Sequence, residues 1–162
     1  MFVSTTITKP HLAPWALGGF LAIATVLATP QPVQAAGRQY YSSWSYYPSR
    51  TYYYSYYYYQ PRASYNGYQH HYCVFYPSRP RYVYYYNPTR RVYWGRYDLE
   101  KKGYSLLAEA DRKSDLTDIP EKAFPEPGEM PRIPDVEDDL RMMPVDPDKL
   151  PEAKEPEDAP AK

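Results

Sequence analysis

Three side chains with metal-binding or nucleophilic atoms cluster at His70, His71 and Cys73. Imidazole and thiolate groups can ligate zinc or copper, and a cysteine beside a histidine base can build covalent catalysis. The spacing argues against both chemistries. Structural zinc takes four ligands where only three gather here, and neither Cys-x-x-Cys nor Cys-x-x-Cys-His occurs. A nucleophile–base set would have to borrow its acid from the far half of the chain. The paired carboxylates there, Asp138-Asp139, lie in a proline-rich run with nothing to tune their pKa values. No glycine-rich phosphate loop is present. The reading is therefore no cofactor, no metal and no catalytic residue. Cys73 keeps three roles open, because one thiol cannot close an intrachain bridge: an intermolecular disulfide, reaction with a partner, or burial, which Val74 and Phe75 favour.

A different chemistry is written over a longer stretch. Between Gly37 and Tyr97 lie 21 of the 22 tyrosines and eight arginines, with no lysine, aspartate or glutamate. A guanidinium stacks on a phenol face for roughly 0.5–1 kcal/mol at exposed sites, and the hydroxyl adds a hydrogen-bonding tip. Many such contacts give avidity without a pocket. Acidic polymers, carbohydrate rings and other copies of the chain all suit such a surface. Nucleic acid suits it chemically, but export makes that partner unfavourable. The polymer-contact set read from this pattern is Arg81, Arg90, Arg91, Arg96 and Trp94, with Cys73 as an intermolecular thiol.

Those residues need a scaffold. Arg81–Tyr86 and Arg91–Tyr97 are β-prone and flank Asn87-Pro88-Thr89-Arg90, which has turn chemistry, so a β-hairpin is expected over about 81–97. Period-2 alternation places Val83 with Tyr85 on one face and Val92 with Trp94 on one face. Ser105 reads as an N-cap for a short helix at about 106–113, with Leu106, Leu107 and Ala110 on one side. The result is a small α+β module at 72–125, one hairpin plus one helix, in an otherwise mostly disordered, low-complexity chain.

The rest of the chain supports that division. From Ala36 onward only 15 of 127 residues are Leu, Ile, Val or Phe, about 12%, against the ~20% below which a packed core is doubtful. That shortage disfavours large enzyme folds. Residues 36–71, with runs such as Tyr56-Tyr57-Tyr58-Tyr59, specify no two-faced element and are expected to be low-complexity and loosely extended. A Tyr-Pro-Ser-Arg word occurs at Tyr47–Arg50 and again at Tyr76–Arg79. From Asp98 to the end lie all 19 acidic residues against ten basic ones, so the neutral total hides a cationic half and an anionic half. Such halves suit an oppositely charged surface or each other. Ten prolines between Pro120 and Pro160 make 126–162 an expected disordered acidic tail, with at most a fluctuating helix from Asp135 to Met143.

At the N-terminus Lys9, the apolar run Pro14–Ala28 and the small residues around Ala35 read as an export signal over 1–35. About 15 apolar positions would rise only ~22 Å as a helix, short of the ~30 Å hydrocarbon core, so no membrane span is expected after cleavage. Retention as an anchor is the alternative.

The stretch from Tyr72 to Asp135 includes Tyr-Pro-Ser-Arg-Pro-Arg-Tyr, Tyr-Trp-Gly-Arg-Tyr-Asp, Ile-Pro-Glu-Lys-Ala-Phe and Pro-Glu-Pro-Gly-Glu-Met-Pro. It resembles a group of uncharacterised exported proteins of planctomycete-type bacteria, which implies a module at that location and carries no activity. The expected function is that of an exported structural or interaction protein of the bacterial cell envelope, periplasmic, cell-surface or extracellular, adhering through its Tyr/Arg-rich arm to an envelope polymer, a protein or another copy. The alternative is a binding module for acidic glycans or other anionic polymers, using the hairpin.

Overall fold

The computed structural model describes residues 37–134 and 136–152. The expected export signal, Asp135 as a helix cap and the terminal residues 153–162 lie outside the described residues.

Seven strands form one antiparallel sheet: β1 Gln39–Tyr41, β2 Ser45–Tyr47, β3 Tyr52–Tyr59, β4 Gln69–Phe75, β5 Tyr82–Asn87, β6 Val92–Asp98 and β7 Gly103–Leu106. Its order is β1-β3-β4-β5-β6-β7, with β2 also on β3, and it curls into a half-barrel. This overturns the expected small α+β module in a mostly disordered chain. The 36–71 segment supplies three strands and the start of a fourth, so the expected boundary at 71/72 falls inside β4. Counting aliphatic residues failed because tyrosine builds this core. A buried aromatic ring removes 150–250 Å² from water, and Tyr57, Tyr59, Tyr84, Tyr85, Tyr93, Tyr97 and Tyr104 are all buried.

The expected helix at 106–113 is absent, and its first residue belongs to a strand. Residues 103–106 pair with β6 from Asp98↔Gly103 to Gly95↔Leu106. Ser105 caps nothing; it is buried and donates its hydroxyl to the Pro125 carbonyl at 2.7 Å. Single 3-10 turns follow at Glu109–Asp111, Leu116–Asp118 and Glu121–Ala123. Nor is 136–143 helical. Arg132 and Arg141 form an antiparallel bridge, and Ile133 N–H bonds the Leu140 carbonyl at 3.0 Å.

The hairpin between β5 and β6 is present, with one irregularity that sets its chemistry. Tyr85 pairs with Gly95 and Tyr86 with Tyr93, leaving Trp94 as the extra residue of a β-bulge. The bulge shifts the alternation by one. Trp94 and Tyr97 therefore share the inner face, and Arg96 turns outward. Gly95 suits this position, because a Cβ would clash with the hydroxyl oxygen of Tyr104, whose ring is itself buried.

Three of the hairpin turns follow one plan. Pro48–Thr51, Pro88–Arg91 and Leu99–Lys102 each span four residues and end on a left-handed residue, with φ of 51° at Thr51, 57° at Arg91 and 52° at Lys102. Short polar side chains enforce two of them. Asn87 Oδ1 accepts from Thr89 and Arg90 amides at 2.9 and 3.0 Å, and Asp98 Oδ1 accepts from Glu100 and Lys101 amides at 3.0 Å each.

Both faces of the sheet are packed, by different segments. The inner face gathers Tyr57, Tyr59, Cys73, Phe75, Val83, Tyr85, Trp94, Tyr97 and Tyr104 under Ile133, Met142 and Val145. The acidic, proline-rich stretch is thus a strap in its described part. Tyr41 donates to the Met143 carbonyl at 2.6 Å, and Gln39 bonds Tyr57, the Met143 amide and the Arg141 carbonyl. Arg38 pairs with Asp138 at 2.8 Å and Arg62 with Glu137 at 3.4 Å, so the two charge halves meet within one molecule. On the outer face, Leu107, Leu116, Ile119 and Phe124 cover Val74, Tyr84 and Tyr93. That cover lies over the β5–β6 side.

Candidate binding face

The outer side of β1, β3 and β4 is left with a field of aromatic rings. On β3 the odd residues Tyr57 and Tyr59 point inward and are buried, so Tyr54, Tyr56 and Tyr58 point outward, where they are half-buried. The cross-strand register extends this row. Tyr58 faces Tyr40 on one side and His70 on the other, and Tyr56 faces Tyr72, which in turn faces Tyr86. Ring centroids lie 4.9 Å apart for Tyr40–Tyr58, 5.6 Å for Tyr56–Tyr58 and 5.0 Å for Tyr56–Tyr72; the first two pairs are stacked. Such pairs stabilise the sheet by about 0.5–1.5 kcal/mol each beyond area burial. Tyr40 and Tyr68 complete the field at the edge, 42% and 41% exposed.

Toward the β2–β3 turn the field deepens into a groove of about 340 Å³, lined by Tyr47, Arg50, Tyr52, Tyr54, Tyr56 and Tyr72, with Tyr86 and Ser114 on its β5 side. Burial raises the pKa of the Tyr52 and Tyr72 phenols, which keeps them neutral at ordinary pH. His70, ringed by Tyr56, Tyr58 and Tyr72, has its pKa lowered by burial, so its imidazole also favours the neutral form. The face therefore offers flat apolar rings rimmed by hydroxyls, and little charge besides Arg50.

The residues singled out in the sequence are placed otherwise. Trp94 is 1% exposed, packed between Tyr85 and Tyr104 on the inner face, and has no surface to offer. Arg96 is 6% exposed, sandwiched 3.8 Å from the Tyr82 ring centroid and 4.0 Å from that of Phe124, with both ends of its fork on Glu121. It pins the 116–124 segment to the sheet. Arg81 holds buried Asp98 through Nε at 3.0 Å and Nη2 at 2.7 Å, and also pairs with Glu100. Burial alone would raise the pKa of Asp98. Arg81 and the amides of Lys101 and Glu100 outweigh it and hold the carboxyl below its ordinary range. Arg90 pairs with Glu109 at 3.5 Å, while Arg91 is exposed on the turn. The hairpin set is thus scattered over both faces and a turn.

Cys73 is fully buried on the inner face, and burial pushes its thiol pKa well above the ordinary range, which disfavours the thiolate. His71 shares that face, 5.3 Å from Trp94 between ring centroids, while His70 lies on the other. Among the described residues no group of three or more His, Cys, Asp or Glu is placed to hold a metal ion. None of the described helices is long and apolar enough to cross a membrane.

No protein-family model, curated protein or solved structure matches the chain. Any functional reading rests on the face itself.

Proposed function

We propose that the protein is an exported adhesion protein of the bacterial cell envelope, which binds a polysaccharide through the open tyrosine face of β1, β3 and β4. One observation carries the reading. A row of closely packed, half-exposed phenols lies on the sheet, and its members Tyr40, Tyr54, Tyr56 and Tyr58 stand outside the cluster formed by Leu107, Leu116, Ile119 and Phe124. A sugar ring has an apolar face and a rim of hydroxyls, which matches a phenol laid flat with its hydroxyl at the edge. Repetition of the rings suits a polymer: each contact is weak, and the chain of contacts is held in register by the strand. Preorganisation matters too, because rings already fixed by their neighbours lose little freedom on binding. The export signal read at 1–35 puts such a face where envelope polymers are.

The competing site, the Arg/Trp hairpin, is weakened by its own contacts: Trp94 is buried and Arg81 and Arg96 are neutralised within the molecule. Co-sedimentation of the full chain with insoluble envelope polysaccharide tests the reading. Tyr56→Ala with Tyr72→Ala should lower the bound fraction at least about tenfold, as expected when central aromatic anchors are truncated. Undiminished binding by a folded double variant contradicts it.

A further inference from the structure

We propose that the groove beside the β2–β3 turn selects sugar rings that carry a carboxylate, with Arg50 as the partner of that anion. This rests on the tyrosine face being a polysaccharide site and adds the class of sugar. On the tyrosine-rich sheet, Arg38, Arg62, Arg81, Arg90 and Arg96 each have a carboxylate within ion-pair distance. Arg50 is exposed and has none among the described residues. Arg50 acts on Asp115 only at longer range than an ion pair, and Asp115 Oδ1 accepts from the amide and hydroxyl of Thr117 at 2.9 and 2.8 Å.

The turn that presents Arg50 is costly to form. Thr51, the next residue, sits at φ 51°, a left-handed conformation that is a true outlier for a β-branched side chain. Pro48 at the start of the turn and the Thr51 amide on the Pro48 carbonyl at 3.3 Å hold it closed. The first Tyr-Pro-Ser-Arg word thus has a use: its proline and serine make the turn, and its tyrosine and arginine line the groove. The second word forms the β4–β5 turn at the same end of the sheet, where Arg79 lines a separate cleft with Glu121. A guanidinium beside neutral phenols favours a planar carboxylate, because its fork bonds both oxygens while the ring stacks on a neighbour.

Two probes with the same rings separate charge from stacking: polygalacturonate and its fully methyl-esterified form. With the full chain, the acid polymer should bind about tenfold tighter than the ester, a preference that shrinks as salt rises. Arg50→Gln should erase that preference and leave the ester affinity unchanged, whereas Arg91→Gln should leave both affinities as they are. A preference that survives Arg50→Gln, or a wild-type chain with no preference or no binding to either probe, overturns the assignment. Failure of the tyrosine reading looks different: Tyr56→Ala with Tyr72→Ala would then leave sedimentation with envelope polysaccharide intact.

Discussion

On β3, Tyr57 and Tyr59 face one way and Tyr54, Tyr56 and Tyr58 the other, and the two sets differ in nothing but the parity of their numbers. The inward rings are sealed under the strap, their hydroxyls on Gln39, Gln69 and His71. The outward rings stack on one another and stay half open. The fate of a tyrosine in this protein is set by what remote sequence lies over it. Ile133, Met142 and Val145 close one side of the sheet, whereas Leu107, Leu116, Ile119 and Phe124 form a cluster on the other with Val74, Tyr84 and Tyr93 that does not include Tyr40, Tyr54, Tyr56 or Tyr58. One face is sealed and part of its counterpart stays open.

Truncation separates the faces most strongly. Tyr57→Ala should cost about 3–5 kcal/mol in denaturant unfolding, as for a buried aromatic, and Tyr58→Ala, which loses two ring pairs of a half-buried side chain, about 1–2 kcal/mol. Equal losses would erase the distinction. Next in size, Gly95→Ala forces a methyl into the Tyr104 ring and should destabilise by about 1–3 kcal/mol, read as a lower unfolding midpoint. An unchanged midpoint would mean that the bulge is not as tight as described.

Smaller still is Glu121→Gln, which leaves the nearly buried Arg96 without its carboxylate. Because Glu121 itself faces solvent, the loss should be about 1 kcal/mol and should leave the inner face, followed by Trp94 fluorescence, unaltered. A spectral change at Trp94 would show that the two faces are coupled.

Titration sharpens the same contrast. Burial raises the phenol pKa of Tyr41, Tyr57, Tyr85 and Tyr104. A folded pKa above the unfolded value of about 10 leaves their contribution to stability intact below that pH and removes it as pH climbs further. Absorbance should show the phenols of Tyr41, Tyr57, Tyr85 and Tyr104 ionising only together with unfolding; their ionisation while the fold is still intact contradicts this. On the acid side, Asp98 and Glu121 have lowered pKa values, Glu121 chiefly through its hydrogen bonds from Arg96. Their stabilisation is present above the ordinary carboxyl pKa and fades as pH falls through the lowered values.

The hairpin at 82–98 was legible because Asn87-Pro88 and the flanking β-branched and aromatic residues speak plainly. The strands at 39–75 were not, since tyrosine is apolar enough for a core and polar enough for a surface. A strand made almost wholly of it shows no alternation to read. The one clue was Ser55, the only non-tyrosine residue of β3: it is buried opposite Cys73, with its hydroxyl on the Ser42 carbonyl at 2.8 Å. It marks the inner parity and, by exclusion, the open one. The expected Arg/Trp contact set is dispersed because one bulge at Trp94 reverses the phase of β6, sending the tryptophan into the core with Tyr97 and Arg96 to Tyr82, Phe124 and Glu121. Ser105 misled for a related reason: its neighbours fit a helix locally, yet the open edge of β6 offered four backbone partners in register.

Nitration of tyrosine rings by tetranitromethane, mapped by peptide mass spectrometry with and without insoluble envelope polysaccharide, bears most directly on the division of labour between the faces. Tyr40, Tyr54, Tyr56, Tyr58 and Tyr72 should react in the free protein and be shielded in the bound one, while Tyr57, Tyr59 and Tyr85 stay unmodified in both. Early nitration of the inner rings, or outer rings that react equally with and without polysaccharide, would contradict it.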